Sequence, residues 1–414
     1  MTFPITWIVH DPDESDRVNR ILAALKQGEA RDELGMGGIR DSLADLLFPG
    51  TSTIQTRLRY FLIVAWCYRR MELRGTRAPR FGRAVADIER TLIPVLANQP
   101  DAGGVFGRVA GQSVKRLPSS VYWNGLGKWG IRAIGVSQSE YHRTVDRYIA
   151  GSRQTRTTED GEQWTVMPKA IWHRNLPDIP EGFPDQVDFR VLPDEADFLV
   201  RRIHEHAGGT LLDWLVQRPE KAPDVAGAQF PWELPCHGEL SAGLQGILRH
   251  ARRVSIVTHG AAQLYNLMLA ELDDGEDHAD RIAQQRRGEL DAWRTRLDSI
   301  WAELDAWDHG ELGVLCARAT GHAVTPQTWT FLRHWTDRVL STNGRVEDDK
   351  DARRIVKSRE RALKGRRGRS RFDNPTLRGQ WQGEAGLGRL DFRWRPVQGL
   401  LEDLYAALSP EERA

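Results

Sequence analysis

The chain has 414 residues, 40% hydrophobic and 28% charged, with a net charge of +1 at neutral pH. That hydrophobic content with so little net charge excludes a globally disordered chain, and the length asks for two or three cores of about 100–200 residues each. The same balance excludes a whole-chain attraction to nucleic acid or membrane, so any such attraction must come from local clustering.

In chain order, the apolar positions describe helices joined by short turns. Ser15 or Asp16 caps a first helix running to about Gln27, with Val18, Ile21, Leu22 and Leu25 on one face. A second helix is expected over Gly38–Leu47, ending at Phe48-Pro49-Gly50. Thr51, Ser52 and Thr53 then cap a strongly apolar helix over Ile54–Leu73 that carries Arg57 and Arg59. Val85–Leu96, Val121–Trp129 and Ser137–Ile149 follow, the last with Ser137 and Glu140 spaced as a capping box. Polar residues from Gly151 to Gly161, and then Pro177, Pro180, Pro184 and Pro193, interrupt the pattern. Helix resumes over Asp194–Gln217, and after a second proline-rich loop an apolar helix is expected around Ala261–Leu272. Leu290, Trp293, Leu297, Ile300, Leu304 and Trp307 stand at 3-4-3-4-3 spacing, a short heptad seam suited to an intramolecular hairpin. Thr325-Pro326 opens a helix running to Leu340. Leu390, Phe392 and Trp394 alternate like a short strand, and Val397–Leu408 closes the chain as an amphipathic helix.

The fold class is therefore mainly α. A multi-helix N-terminal domain is expected over 1–150 and an irregular proline-rich connection over 151–193. A helical domain over 194–344 and a basic arm with a short strand and a helix over 345–414 complete the chain. Cys67, Cys236 and Cys316 are scattered without metal-ligand spacing and read as buried free thiols in a reducing cytosol. The N-terminus lacks the pattern of a signal peptide, and no apolar stretch approaches the ~18 residues that span a bilayer. A cytoplasmic location without a membrane partner is expected. The 15 tryptophans read as core anchors.

The most function-like feature is a run of cations: Arg353, Arg354, Lys357, Arg359, Arg361, Lys364, Arg366, Arg367, Arg369 and Arg371. With Glu360 as the one acid, these 19 residues carry +9, which leaves the rest of the chain at −8. Such a concentration attracts phosphate, because neutralising a nucleic-acid backbone releases condensed counterions, and Arg adds bidentate phosphate contacts. Gly365 and Gly368 favour a flexible loop here, a mobile arm that follows a backbone without reading its sequence. A solvated linker and a strap for an acidic protein are the competing readings. Arg57 and Arg59 are the second candidate for phosphate contact, converging with the hydroxyls and helix N-terminus at Thr51-Ser52-Thr53. The competing reading pairs them with Asp41 or Asp45.

No catalytic residue, metal set or cofactor motif is legible. The histidines lack ligand spacing, and Gly35-Met36-Gly37-Gly38 lacks the Lys-Ser/Thr of a phosphate-binding loop. Asp178, Asp185, Asp188 and Arg190 resemble the acid string of a metal-dependent nuclease, with Arg where such a site wants Lys.

The stretch Arg31–Phe61, which reads RDELGMGGIRDSLADLLFPGTSTIQTRLRYF, resembles the signature of a bacterial family of unknown function. Ser119–Leu126, His259–Glu271 and Arg393-Trp394 resemble that family too. The resemblance implies no activity. It implies company: helicases, nucleases and methyltransferases in gene islands that defend against phage. The expected function is a non-enzymatic DNA-binding or scaffolding subunit of a multi-protein antiphage system, with nucleic acid, chiefly DNA, and defence proteins such as a helicase or nuclease as partners. A divergent metal-dependent nuclease and a protein-interaction scaffold without nucleic-acid contact are the alternatives.

Overall fold

Ten of the fourteen residues in Tyr60–Leu73 are buried, including Phe61, Ile63, Trp66 and Tyr68. A helix apolar on nearly every side belongs at the centre of its core, and the chain wraps other helices around it. The computed structural model describes residues 32–151, 155–157, 163–165, 171–272, 276–319, 321–365 and 368–409. They divide into two compact units, drawn from Leu47–Ala228 and Arg393–Ala414 for the first, and from Arg20–Leu46 and Gln229–Phe392 for the second. The boundaries expected near residues 150, 193 and 344 thus fall inside units, each of which is discontinuous in sequence. The expected helix from Ser15 or Asp16 to Gln27 lies outside the described residues.

In the first unit, Tyr60–Leu73 packs against Ala78–Ala97 and Pro118–Lys128, and Ala78–Ala97 against Gln138–Gly151. Trp129 stacks on Phe61 with ring centroids 3.9 Å apart and donates its indole N–H to the Pro49 carbonyl at 2.8 Å. Gly50 makes this possible: its φ is +82°, and a Cβ there would strike the Trp129 indole. Pro193–Ala207, Leu211–Val216 and Ala222–Gly227 follow, and Trp394–Leu408 packs on all three. Within 151–193 a small antiparallel hairpin pairs Thr155–Thr157 with Gln163–Thr165, Arg156 opposite Trp164.

In the second unit the 29-residue helix Ala242–Ala270 packs lengthwise against Glu276–Asp298. The predicted heptad seam is used inside the unit. Leu290, Trp293, Leu297, Ile300, Leu304 and Trp307 are all buried, and Trp293 donates to the Ile256 carbonyl at 2.7 Å. The helix breaks after Asp298, so the seam continues through the short helix Trp301–Asp305. Pro326–Ser341 begins at Thr325, whose hydroxyl accepts the Thr328 N–H as the Thr-Pro signal requires. The indole N–H groups of Trp66, Trp123, Trp335 and Trp394 also donate to backbone carbonyls, as buried tryptophans must. Cys67, Cys236 and Cys316 are buried free thiols.

Three expectations are corrected. Gly386–Trp394 is not a strand: Phe392 and Arg393 have φ of 53° and 71°, a left-handed turn that ends any extended run, and Trp394 already opens a helix. Lys350–Lys364 is a regular helix and not a mobile arm, because Ala352, Val356, Arg359 and Glu360 form a buried face at helical spacing. The apolar helix expected from Ile54 begins only at Tyr60, so Thr51-Ser52-Thr53 does not cap it and Arg57 precedes it.

Candidate nucleic-acid interface

The basic helix starts at Asp349, whose carboxylate accepts the Ala352 N–H at 2.7 Å and also pairs with Arg338 at 2.7 Å. Asp351 lies in its first turn and Arg361 and Lys364 in its last, the arrangement the helix dipole favours. Burial then sorts the ten predicted cations. Arg353 turns inward, donating to the Glu347 carbonyl at 2.6 Å and to Glu271 at 2.5 and 3.1 Å. Arg359 is buried and donates to the Leu34 carbonyl at 2.7 Å, the Gly35 carbonyl at 3.0 Å and the Thr328 hydroxyl at 2.8 Å. Burial holds its guanidinium below the usual arginine range. Lys364 and Arg371 both pair with the buried carboxylate of Glu33, Arg371 at 2.9 Å. Glu360, fully buried, accepts the Arg371 backbone N–H at 2.9 Å. These four cations hold the second unit together.

Of the other six, Arg354, Arg361 and Arg369 are exposed and Lys357 is half-buried. Arg354 has a 75% exposed side chain and, among the described residues, pairs only with Asp351, at 2.9 Å. Arg361 pairs with Asp373, and both side chains are nearly half exposed. Lys357 is half-buried with its ammonium 5.7 Å from the Phe372 ring, and Arg369 is exposed. Arg366 and Arg367 lie outside the described residues. Lys350, exposed at the start of the helix, completes the set. Lys350, Arg354, Lys357 and Arg361 are spaced 4-3-4 and form one stripe. A count of consecutive cations misses Lys350, because Asp351 separates it from the run; helical spacing is the signal that recovers it. Exposed ion pairs contribute roughly 0–1 kcal/mol, so Arg354 and Arg361 can exchange a carboxylate partner for a phosphate at little cost.

Arg57 and Arg59 have the opposite surroundings. The loop they stand on is held by side chains from distant parts of the chain. The Tyr122 hydroxyl accepts the N–H groups of Thr56 at 2.9 Å and Arg57 at 3.1 Å, and donates to the Arg57 carbonyl at 2.8 Å. Asp403 accepts the Leu58 N–H at 2.7 Å. Arg57 pairs with Asp403 at 2.8 Å and Asp101 at 2.7 Å, over the face of Phe189. Burial opposes its charge, but the hydrogen bonds to Asp403 and Asp101 outweigh burial and hold the guanidinium above the usual range. Burial pushes the Asp403 carboxyl up, against the pull of Arg57. Arg59 is more enclosed still, with bonds of 2.9 and 2.8 Å to Glu195 and 2.7 Å to Asp188. Neither arginine pairs with Asp41 or Asp45, which instead meet Arg40 and His322.

The family follows from the whole span. A family of unknown function, DUF6361, matches residues 1–407. The chain belongs to that family. No curated protein and no solved structure matches it.

Arg57 lines a cleft of about 610 Å³ whose walls include Asp101, Phe189, Arg190, Glu402 and Asp403. With Asp188 also on its wall, this cleft holds more carboxylates than guanidinium groups, so its field does not favour phosphate. Of the nuclease-like string, Asp185, Asp188 and Arg190 line a second cleft of about 430 Å³ together with Arg59, and Asp178 does not. Asp178 is 95% exposed, 3.6 Å from Arg69, while Asp188 accepts both Arg59 and the Arg190 N–H. Among the described residues no group of three or more His, Cys, Asp or Glu side chains is placed to hold a metal ion. Nor, among them, is any helix long and apolar enough to cross a membrane.

Proposed function

We propose that this protein is a non-enzymatic subunit of a multi-protein bacterial antiphage system and that it contacts DNA phosphates through Lys350, Arg354, Lys357 and Arg361, continued by Arg369. The observation that supports the DNA contact is the 4-3-4 stripe of outward cations on a helix whose inward cations are already paired. Eleven residues of helix advance about 16 Å, a length over which duplex DNA carries about nine charges. A helix this regular, laid along a backbone, predicts binding that is tolerant of sequence and steeply dependent on salt. The antiphage setting, with a helicase or nuclease as neighbour, rests on the sequence resemblance.

Fluorescence anisotropy with a labelled duplex over a salt series tests the contact. Replacing Lys350, Arg354, Lys357, Arg361 and Arg369 together by Ala should weaken binding at least ~100-fold at low salt and flatten the slope of log K against log salt by about 0.9 per lost phosphate contact. No binding at low salt, or an unchanged slope in the variant, refutes it. For the subunit reading, a tagged chain should co-purify with a helicase or nuclease from its host. A chain that purifies alone, and whose deletion leaves phage plating unchanged, overturns that part.

A further inference from the structure

Glu89, on Ala78–Ala97, is a buried carboxyl of the first unit that sits at the start of Pro118–Lys128. Pro118 has no N–H to offer, so Ser119 supplies the first one, donating to Glu89 Oε1 at 2.6 Å while its hydroxyl donates to Oε2 at 2.8 Å. The helix N-terminus favours the carboxylate and burial opposes it. Burial is the larger influence and raises the carboxyl to about 7. The void beside it, about 10 Å³ and lined otherwise by Tyr60, Phe106, Pro118 and aliphatic side chains, holds one water at most.

A chain of hydrogen bonds leads from that carboxyl to a half-buried imidazole. Gln138 Nε2 has two hydrogens and gives one to the Ser119 hydroxyl at 2.9 Å and the other to the Tyr68 hydroxyl at 2.7 Å. Tyr68, fully buried, lies 2.8 Å from His142 Nε2. With Gln138 as its donor, the Tyr68 hydroxyl spends its own proton on His142, so Nε2 is bare and Nδ1 carries the ring hydrogen. Gly82 makes the room: a Cβ there would lie 2.6 Å from His142 Nδ1. Burial holds His142 below the ordinary imidazole range. Tyr60, Cys67 and Tyr68 on Tyr60–Leu73 feel the charge of Glu89, and Arg90 on its own helix pulls its carboxyl down. Pro118–Lys128 brings Ser119. Gln138–Gly151 brings Tyr141, 5.7 Å from the Tyr68 ring, and Asp146, which accepts the Ala78 N–H at 3.2 Å.

We propose that Glu89, Ser119, Gln138, Tyr68 and His142 form a two-state proton sensor in which a proton gained at Glu89 reverses every donor in the chain. As a carboxylate, Glu89 only accepts; once protonated it must donate. It gives its hydrogen to Ser119 Oγ, whose own hydrogen then turns to Gln138. Half-buried Gln138 turns its amide and presents Oε1 to both hydroxyls. Tyr68 then donates to Gln138, and its oxygen is free to accept, so His142 Nε2 carries a hydrogen. The hydroxyls keep their own protons and only rotate. The proton at Glu89 comes from water, as does the one at His142 Nε2, and Nδ1 either keeps its hydrogen or returns it to water. A half-turned chain sets one buried donor against another, which a dry interior does not tolerate, so the two ends change together. The device joins four helices of the first unit and does not depend on the DNA reading.

The full chain, isotopically labelled at histidine nitrogen, is titrated in a long-range proton–nitrogen NMR spectrum that separates a bare ring nitrogen from an N–H. His142→Gln identifies the signal by its loss. From about pH 8.5 to about pH 6, wild-type Nε2 should pass from bare to protonated with a midpoint of about 7, where Glu89 titrates. Glu89→Gln has an amide that donates to Ser119 at every pH, so its His142 should keep a hydrogen on Nε2 throughout and show no step. Gln138→Met cuts the chain, and the proton affinity of Nε2 should fall at least ~10-fold, moving the step well below that of wild type. Wild-type Nε2 that stays bare down to about pH 6 overturns the proposal without any variant. So does a bare Nε2 in Glu89→Gln at about pH 8.5, or a Gln138→Met chain that keeps the wild-type midpoint.

Discussion

Arg59 and Arg354 carry the same guanidinium, the first at the edge of a strongly apolar stretch and the second in a basic run. Their surroundings are opposite. Arg59 is 6% exposed and locked in a bidentate pair with a Glu195 that is 5% exposed. Arg354 is 75% exposed and touches one exposed carboxylate. The first unit uses Arg57 and Arg59 to fasten a loop to distant segments and has acids built against both. The basic helix of the second unit divides its cations by helical phase, one face paired with Glu33, Glu271 and backbone carbonyls, the other turned outward. Cationic density alone therefore does not separate cations that fasten the fold from cations that face outward; the acids the fold brings to them do.

Four measurements would break or sharpen that contrast. Arg59→Ala strands Glu195 in the core and should cost about 3–5 kcal/mol in chemical denaturation; a loss below about 1 kcal/mol would mean the pair is no anchor. Glu89 is a buried carboxylate of the first unit held by the Ser119 N–H and hydroxyl, at 2.6 and 2.8 Å, and among the described residues by no guanidinium. Burial raises it to about 7. The folded state therefore holds its proton more tightly than the unfolded state. The stability this contributes is complete below the unfolded value of about 4.3 and is lost as pH rises through about 7, a fall of about 3–4 kcal/mol. Glu89→Gln cannot ionise, so its stability relative to wild type should climb across that window; parallel profiles for the two chains would refute the assignment. Arg359→Met leaves the Leu34 and Gly35 carbonyls unsatisfied and should cost about 2–3 kcal/mol, measured in the same way. At the small end, Arg354→Ala should move stability by no more than about 0.5 kcal/mol while still lowering DNA affinity. A larger destabilisation would place Arg354 among the structural cations.

Much of the helical build was legible because periodicity is a local signal. Thr325-Pro326 marked a real helix start, and the seam from Leu290 to Trp307 marked a real buried face. The Tyr60 start was not legible. Residues 54–59 have helical composition, but Tyr122 and Asp403 take their backbone groups, and neither partner is near them in sequence. The Leu390-Phe392-Trp394 alternation misled for a related reason: a turn in left-handed backbone can place alternate side chains in cores as a strand does. Of the candidate interface, the clustering was readable and the division of labour was not.

From sequence alone follow the mainly helical class, the free thiols, the tryptophan anchors and a +9 island in a chain otherwise at −8. These depend on composition and on spacings of a few residues. Only the tertiary structure decided that Arg359 and Arg371 are fasteners while Arg354 and Arg361 face outward, that Arg57 lines an acid-rich cleft, and that Arg286 is buried. Whether a cation is spent depends on which acids the fold brings within about 4 Å of it, and those acids come from segments that no local pattern connects.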